Sequence, residues 1–157
     1  MPSGFYRTAA ILGLLASVGP FAIDMYLPAL PTIAADLGTT VAGVQITLTA
    51  FFIAFGTAQM VYGPWSDQVG RKLPLYVGLL VFIAGSLGCV LSPTIEWLVA
   101  SRFLQGMGAA VVMVMPRAIV RDLYTGTKAT RLMSSIMLVI SVSPMLAPLA
   151  GSFLILS

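Results

Sequence analysis

The charges of this chain avoid its apolar runs, and that partition limits its fold more than any other feature. Five stretches, 8–30, 44–64, 73–92, 95–116 and 132–156, are almost wholly apolar. A bilayer core about 30 Å thick needs about 20 such residues per helix, and each stretch meets that length. Only Asp24, Glu96 and Arg102 among the charged residues fall inside them, Glu96 at a boundary. The whole chain of 157 residues carries charge on 8% of its positions, where soluble domains carry it on about a quarter. So few charges cannot cover a water-facing surface. The pattern predicts an all-α polytopic membrane protein with five transmembrane helices.

The connections between these stretches alternate in basic content. Arg7 precedes the first, Arg71 and Lys72 follow the second, and Arg117, Arg121, Lys128 and Arg131 flank the fourth-to-fifth connection, whereas 31–43 and 93–94 carry no Lys or Arg. Cytoplasmic loops hold the Lys/Arg excess, so the amino terminus is expected in the cytoplasm and Ser157 on the opposite side. The net charge of +3 therefore reports orientation rather than nucleic-acid binding, which needs a clustered basic face. The first stretch runs on through Asp24 towards Pro31 without a small-residue cleavage site, which favours a retained helix over a signal peptide. There is no His, and Cys89 is the single cysteine. A disulfide within the chain, a Cys/His metal site and a His-based triad are excluded. No nucleophile–base constellation suggests an enzyme.

Small residues recur at helical spacing: Ala50, Ala54 and Ala58; Ala84 and Gly88; Gly106 and Ala110. Such faces let helices approach closely in lipid. Asp24 and Arg102 need a reason to be where they are, because an ionised side chain at mid-helix costs about 2.5–3.5 kcal/mol on insertion scales. Each lies roughly 10 Å below the far boundary of its stretch, at 1.5 Å per residue, so the two are expected to meet across the bundle. Desolvation favours a protonated carboxylate and a nearby guanidinium favours the ionised one. Relative motion of the pair would then load or release a proton on Asp24, with Arg102 always charged. A static ion pair that fixes helix register is the competing reading. Met25, Tyr26, Gln105 and Met113 are adaptable side chains suited to a polyspecific cavity, and equally to plain packing.

Four segments resemble one family. Phe21-Ala-Ile-Asp24-Met-Tyr-Leu-Pro28-Ala-Leu-Pro31 is similar to the first-helix signature of drug:proton antiporters of the major facilitator superfamily, more narrowly the bicyclomycin- and chloramphenicol-resistance (Bcr/CflA) family. Gly63-Pro-Trp-Ser-Asp67-Gln-Val-Gly70-Arg71-Lys72 resembles the superfamily's loop between helices two and three. Ser101-Arg102-Phe-Leu-Gln105-Gly106-Met-Gly108 resembles its fourth-helix motif, and Ser143-Pro144-Met-Leu-Ala147-Pro148-Leu-Ala-Gly151 its fifth-helix antiporter motif. Two positions depart from the pattern: Gln68 stands where the loop usually has Arg, and Ser143, Ala147 and Pro148 replace frequent glycines.

The resemblance implies two six-helix halves that rock around a central substrate site. This chain would be a partial N-terminal domain, residues 1–157, without the sixth helix, and so an N-terminal fragment. The function implied is drug:proton antiport in a bacterial inner membrane, with no cofactor beyond the proton gradient. The implied partners are the lipid bilayer, amphipathic drugs, protons and the missing C-terminal half. Asp24 and Arg102 would couple protons. Gly63 and Gly70 would permit a tight turn, with Asp67, Arg71 and Lys72 latching the inner side as a gate. Gln105 and Gly106 would serve the fourth-helix motif, and Ser143, Pro144, Pro148 and Gly151 would pack against the other half, with Ser141, Pro144, Pro148 and Gly151 on one face. Arg117, Arg121 and Asp122 resemble the inner end of the fourth helix, where orientation and latching compete. The alternatives are a free-standing membrane protein that transports nothing, and a superfamily transporter of another small molecule.

Overall fold

The structure, a computed structural model, describes residues 3–156, with side chains over 4–153. Ser157, expected on the far side, lies outside them. The elements are α1 (Ser3–Asp24), a 3-10 turn (Leu27–Ala29), α2 (Leu30–Asp36), α3 (Val41–Val69), α4 (Lys72–Val90), α5 (Ile95–Leu123) and α6 (Gly126–Leu156). Five helical segments are long and apolar enough to cross a membrane, α1 and α2 together forming the first. Their outward sides carry exposed large apolar residues such as Leu14, Met60, Leu80, Leu138 and Phe153. An exterior of this kind is stable in hydrocarbon, where every helix satisfies its own backbone. The chain is a multi-pass, all-α membrane protein.

Helix boundaries follow from local chemistry. Thr40 and Thr94 hold extended backbone and accept hydrogen bonds from the amides of Gly43 and Trp97, capping α3 and α5. Gly70 reverses the chain between α3 and α4 at φ 86°, a conformation that a side chain disfavours. The first span is broken where Pro28 and Pro31 have no N–H to return to the carbonyls of Asp24 and Leu27. The backbone there switches to three-residue spacing, with Tyr26 N bonded to Ile23 O at 3.1 Å and Ala29 N to Tyr26 O at 3.0 Å. Asp24 therefore sits at a helix break, and the first helical segment continues to Asp36 rather than ending near residue 30. Hydropathy alone places the ends of α5 and α6 short as well: α5 runs past Pro116 to Leu123, and α6 starts at Gly126.

Packing is organised around α5, the most buried of the five spans. Glycines set its distances. A Cβ on Gly106 would strike the Phe51 carbonyl of α3, and one on Gly108 the backbone of Phe82 and Gly78 on α4. The antiparallel register of α4 and α5 holds over three turns, with Gly78 facing Val111, Gly85 facing Gln105 and Gly88 facing Ser101. Ala54, Ala58 and Ala110 are buried. Ala84 is not: it faces outward, because the close face of α4 is the glycine stripe one residue over. Helices α1 and α6 form a parallel pair, with Gly13 against Val139 and Gly151 against the Met25 carbonyl.

Candidate functional site

At the end away from the basic residues, α5 carries Arg102 into the interior, where it is 3% exposed. Its guanidinium carbon lies 3.5 Å from the centroid of the Tyr26 ring, with Phe51 at 5.9 Å. A desolvated cation over an aromatic face gains about 2 kcal/mol, which offsets part of the cost of burial. Nη1 donates to Gln105 Oε1 at 2.7 Å, and Gln105 Nε2 donates to Ser86 Oγ on α4 at 2.8 Å. The Tyr26 hydroxyl is 2.9 Å from Thr47 Oγ1, which itself donates to the Val44 carbonyl at 2.6 Å. Tyr26 is thus the donor, and α3 fixes the ring on which the cation rests. Arg102 Nε is buried with no hydrogen-bond partner.

The expected meeting of Asp24 and Arg102 does not occur in this conformation. Among the described residues Asp24 forms no ion pair, and the aromatic ring two residues later takes its place. Tyr26, bonded through its hydroxyl to Thr47 of α3, holds its ring against the guanidinium instead. A cavity of about 500 Å³ opens beside Arg102, lined also by Met25, Tyr26, Asp36, Cys89 and Gln105. Met113, grouped with these from composition, does not line it. Sequence reasoning missed Asp36, which hydropathy placed in a loop, and missed Tyr26 as the partner of the cation. Tyr26 falls one turn after Ala22, which lines the same cavity, so helical spacing was the signal that could have placed it on the inward side.

The basic end holds a second cluster. Arg71 Nε and Nη2 donate to the Asp122 carboxylate at 2.7 and 3.3 Å, and Nη1 donates to Asp67 Oδ1 at 2.6 Å and Ser66 Oγ at 2.6 Å. One guanidinium therefore ties the end of α3 to the end of α5. Hydrogen bonding to Asp122, opposed by a smaller desolvation, holds Arg71 above its already high ordinary value. Its contribution would be lost only as pH rises through that raised value, so the clamp keeps its cation throughout the physiological range. Asp122 is the partner that the loop motif alone could not identify. Lys72 opens α4 and joins no ion pair among the described residues, so the ion pairs at this end are those of Arg71 with Asp67 and Asp122. Gln68 is exposed. Gly63 is inside α3, with nothing within 4 Å of where its Cβ would stand; the turn belongs to Gly70 alone. Replacing Arg71 with alanine leaves two carboxylates facing each other across α3 and α5. Limited proteolysis should then cut the α3–α4 turn several-fold faster, whereas an unchanged rate would show that the clamp does not hold this end.

On α6 the packed face is Ser143, Ala147 and Gly151, at four-residue spacing. Pro144 is exposed and Pro148 half-buried. The exposed Pro144 thus lies off the face that packs within this chain, whereas Gly151 packs on Met25, just past the end of α1. The reason is register: Gly13 against Val139 fixes the parallel pair and places Ser143 level with Ser17. Ser143 Oγ is buried without a hydrogen-bond partner.

Five spans of this packing, a buried arginine on the fourth and an Arg–Asp clamp at the second-to-third turn coincide with a family match over residues 12–157, and the chain belongs to the Major Facilitator Superfamily. It is 45% identical over 157 residues to the uncharacterized MFS-type transporter YdgK of Bacillus subtilis (strain 168), covering 99% of this chain and 39% of that protein. It is 39% identical over 144 residues to multidrug resistance protein D of Escherichia coli (strain K12), covering 92% of this chain and 36% of the relative. Over 140 residues it is 37% identical to the chloramphenicol resistance protein of Pseudomonas aeruginosa, covering 88% and 33% respectively. The chain thus spans between about a third and two fifths of the length of these relatives.

Proposed function

We propose that the protein carrying this segment exports amphipathic drugs in exchange for protons, and that the segment is the N-terminal part of its first half. The observation that carries the reading is the buried Arg102, held by a ring and an amide rather than by a carboxylate, with one donor free. An arginine stays charged, so it cannot carry the proton itself. It can change which neighbour it stabilises. In this reading the guanidinium leaves the Tyr26 ring for the Asp24 carboxylate, which then releases its proton. Return of the guanidinium to Tyr26 lets Asp24 reload. The Arg71 clamp closes the cytoplasmic end during the outward-facing half of the cycle, and the cavity beside Arg102 forms part of the drug path.

The names of the relatives support drugs as the cargo, since two of them are resistance proteins. The basic end faces the cytoplasm by the distribution of Lys and Arg, and the membrane is the bacterial inner membrane. In the full-length protein, Asp24→Asn should abolish efflux driven by a pH gradient while leaving drug binding measurable. If gradient-driven efflux survives the substitution unchanged, Asp24 is not the proton carrier. A panel of sugars and metabolites that compete with drug for transport would instead identify a superfamily member with another cargo.

A further inference from the structure

A cavity of about 940 Å³ lies at the basic end, between the end of α3, the end of α5 and the start of α6. Arg117 and Arg121, one turn apart on α5, are on its wall, and both are exposed. The carboxylates nearest to them are already engaged. Asp67, also on the wall, and Asp122, the charge neighbour of Arg121, are both bonded to Arg71. Among the described residues neither Arg117 nor Arg121 forms a hydrogen bond or ion pair. Three guanidinium groups, Arg71, Arg117 and Arg121, thus stand against two carboxylates at this end, and the cavity keeps a positive surplus on the side of Arg117 and Arg121. Its remaining wall is largely apolar, with Val114, Ala129 and Met133 contributing.

Cations beside an apolar recess, at the end of a membrane span, match a molecule with an anionic head and a hydrocarbon tail. We infer that this cavity binds the phosphate headgroup of an anionic phospholipid, with Arg117 and Arg121 as its ligands. A guanidinium fork suits phosphate geometry, and basic pockets between spans on the cytoplasmic side are suited to such headgroups. Lys128 and Arg131, exposed on the first turns of α6, extend the same positive field along the surface. A free phosphate would use the two arginines and leave the apolar wall without an occupant, which is why the lipid is the better fit. The site is separate from the Arg102 cavity and does not depend on the drug-efflux reading.

The test uses the full chain as its gene encodes it, purified in neutral detergent and titrated with phosphatidylglycerol or phosphatidylcholine. Lipid retention is read by native mass spectrometry, and stability by thermal melting. Phosphatidylglycerol should be retained and should raise the melting temperature, and phosphatidylcholine should do neither. The double variant R117Q/R121Q should weaken phosphatidylglycerol binding by roughly tenfold or more, with helical circular dichroism unchanged. Should the double variant lose helicity, R117Q and R121Q separately carry the test, each expected to weaken retention several-fold. Equal phosphatidylglycerol retention by wild type and variants would overturn the site. So would protection by inorganic phosphate alone that matches protection by the lipid, which would mark a free-anion site. Loss of stability in both lipids alike would also overturn it, since the arginines would then hold a protein contact.

Discussion

Replacing Gly108 with leucine should prevent the half-bundle from assembling. A Cβ at this position meets the Phe82 amide and the Gly78 carbonyl of α4, and neither is the end of a flexible side chain that can swing aside. Helices α4 and α5 would have to separate along their whole register, which also lifts Gly85 from Gln105 and Gly88 from Ser101. Overpacking of ordinary cores costs about 1–3 kcal/mol, and a collision with backbone belongs at or above the top of that range. Thermal melting of the full-length protein in detergent should show a fall of many degrees or no cooperative transition at all. Gly63→Ala provides the contrast. That glycine is in a helix interior with open space around it, so the substitution should be neutral or stabilising by up to about 1 kcal/mol. A melting temperature for Gly108→Leu that matches Gly63→Ala would mean that α4 and α5 do not approach as described.

The second large effect concerns function rather than folding. Arg102→Met should abolish gradient-driven drug efflux while leaving thermal stability unchanged or raised. Replacing whole buried ion pairs by apolar volume is often neutral or stabilising, by up to about 4 kcal/mol, and removing Arg102 likewise strands no carboxylate, since it forms no ion pair among the described residues. Opposing that, Gln105 Oε1 loses its donor, a penalty of about 1–3 kcal/mol. Loss of the contact with the Tyr26 ring adds about 2 kcal/mol to that penalty, so the opposing terms are of similar size, whereas the cation that the proposed coupling step moves is gone. Arg102→Lys keeps the charge but loses the flat face over Tyr26 and the fork that reaches Gln105, so it should retain little transport. Measuring melting temperature and efflux on the same preparation separates the cases. If both fall together in Arg102→Met, the guanidinium is a structural strut and not a moving charge.

Much of the fold was legible because lipid imposes a blunt rule. Every apolar run of span length became a helix, and the close approach of helices through Ala54, Ala58, Gly106 and Ala110 could be anticipated from small residues at turn spacing. What spacing cannot supply is azimuth. Ala84 and Gly85 are adjacent in sequence, and which of them faces α5 depends on contacts with another helix. The same limit applied to α6: the motif named Ser143, Pro144, Pro148 and Gly151 together, and only contacts with α1 and the turn after it show that Ser143, Ala147 and Gly151 are the ones packed within this chain. Arg102 was marked as a candidate site residue by its place in an apolar run and by the fourth-helix motif around it. Its partner in this conformation differs from the expected one: charge complementarity pointed to Asp24, while the Tyr26 ring, held by Thr47, takes the cation. Asp122 illustrates a third case: the clamp joins residues 51 positions apart, and no local pattern links them.

The glycine contacts also divide the half-bundle mechanically. Helices α3, α4 and α5 are keyed together by Gly78, Gly85, Gly106 and Gly108, and α1 is keyed to α6 by Gly13 and Gly151. Between these two groups the approach at Gly19 is an ordinary one, 3.8 Å to Val112 and 3.9 Å to Ala109. Keyed surfaces resist sliding, since a shift of one helix drives side chains into a neighbouring backbone. A smooth van der Waals seam offers no such stop. What stops the pair from slipping against the trio is therefore not glycine keying but the contacts that cross the seam: the Tyr26–Thr47 hydrogen bond, the Arg102 cation on the Tyr26 ring, and Leu30 and Ala34 packed with Val44.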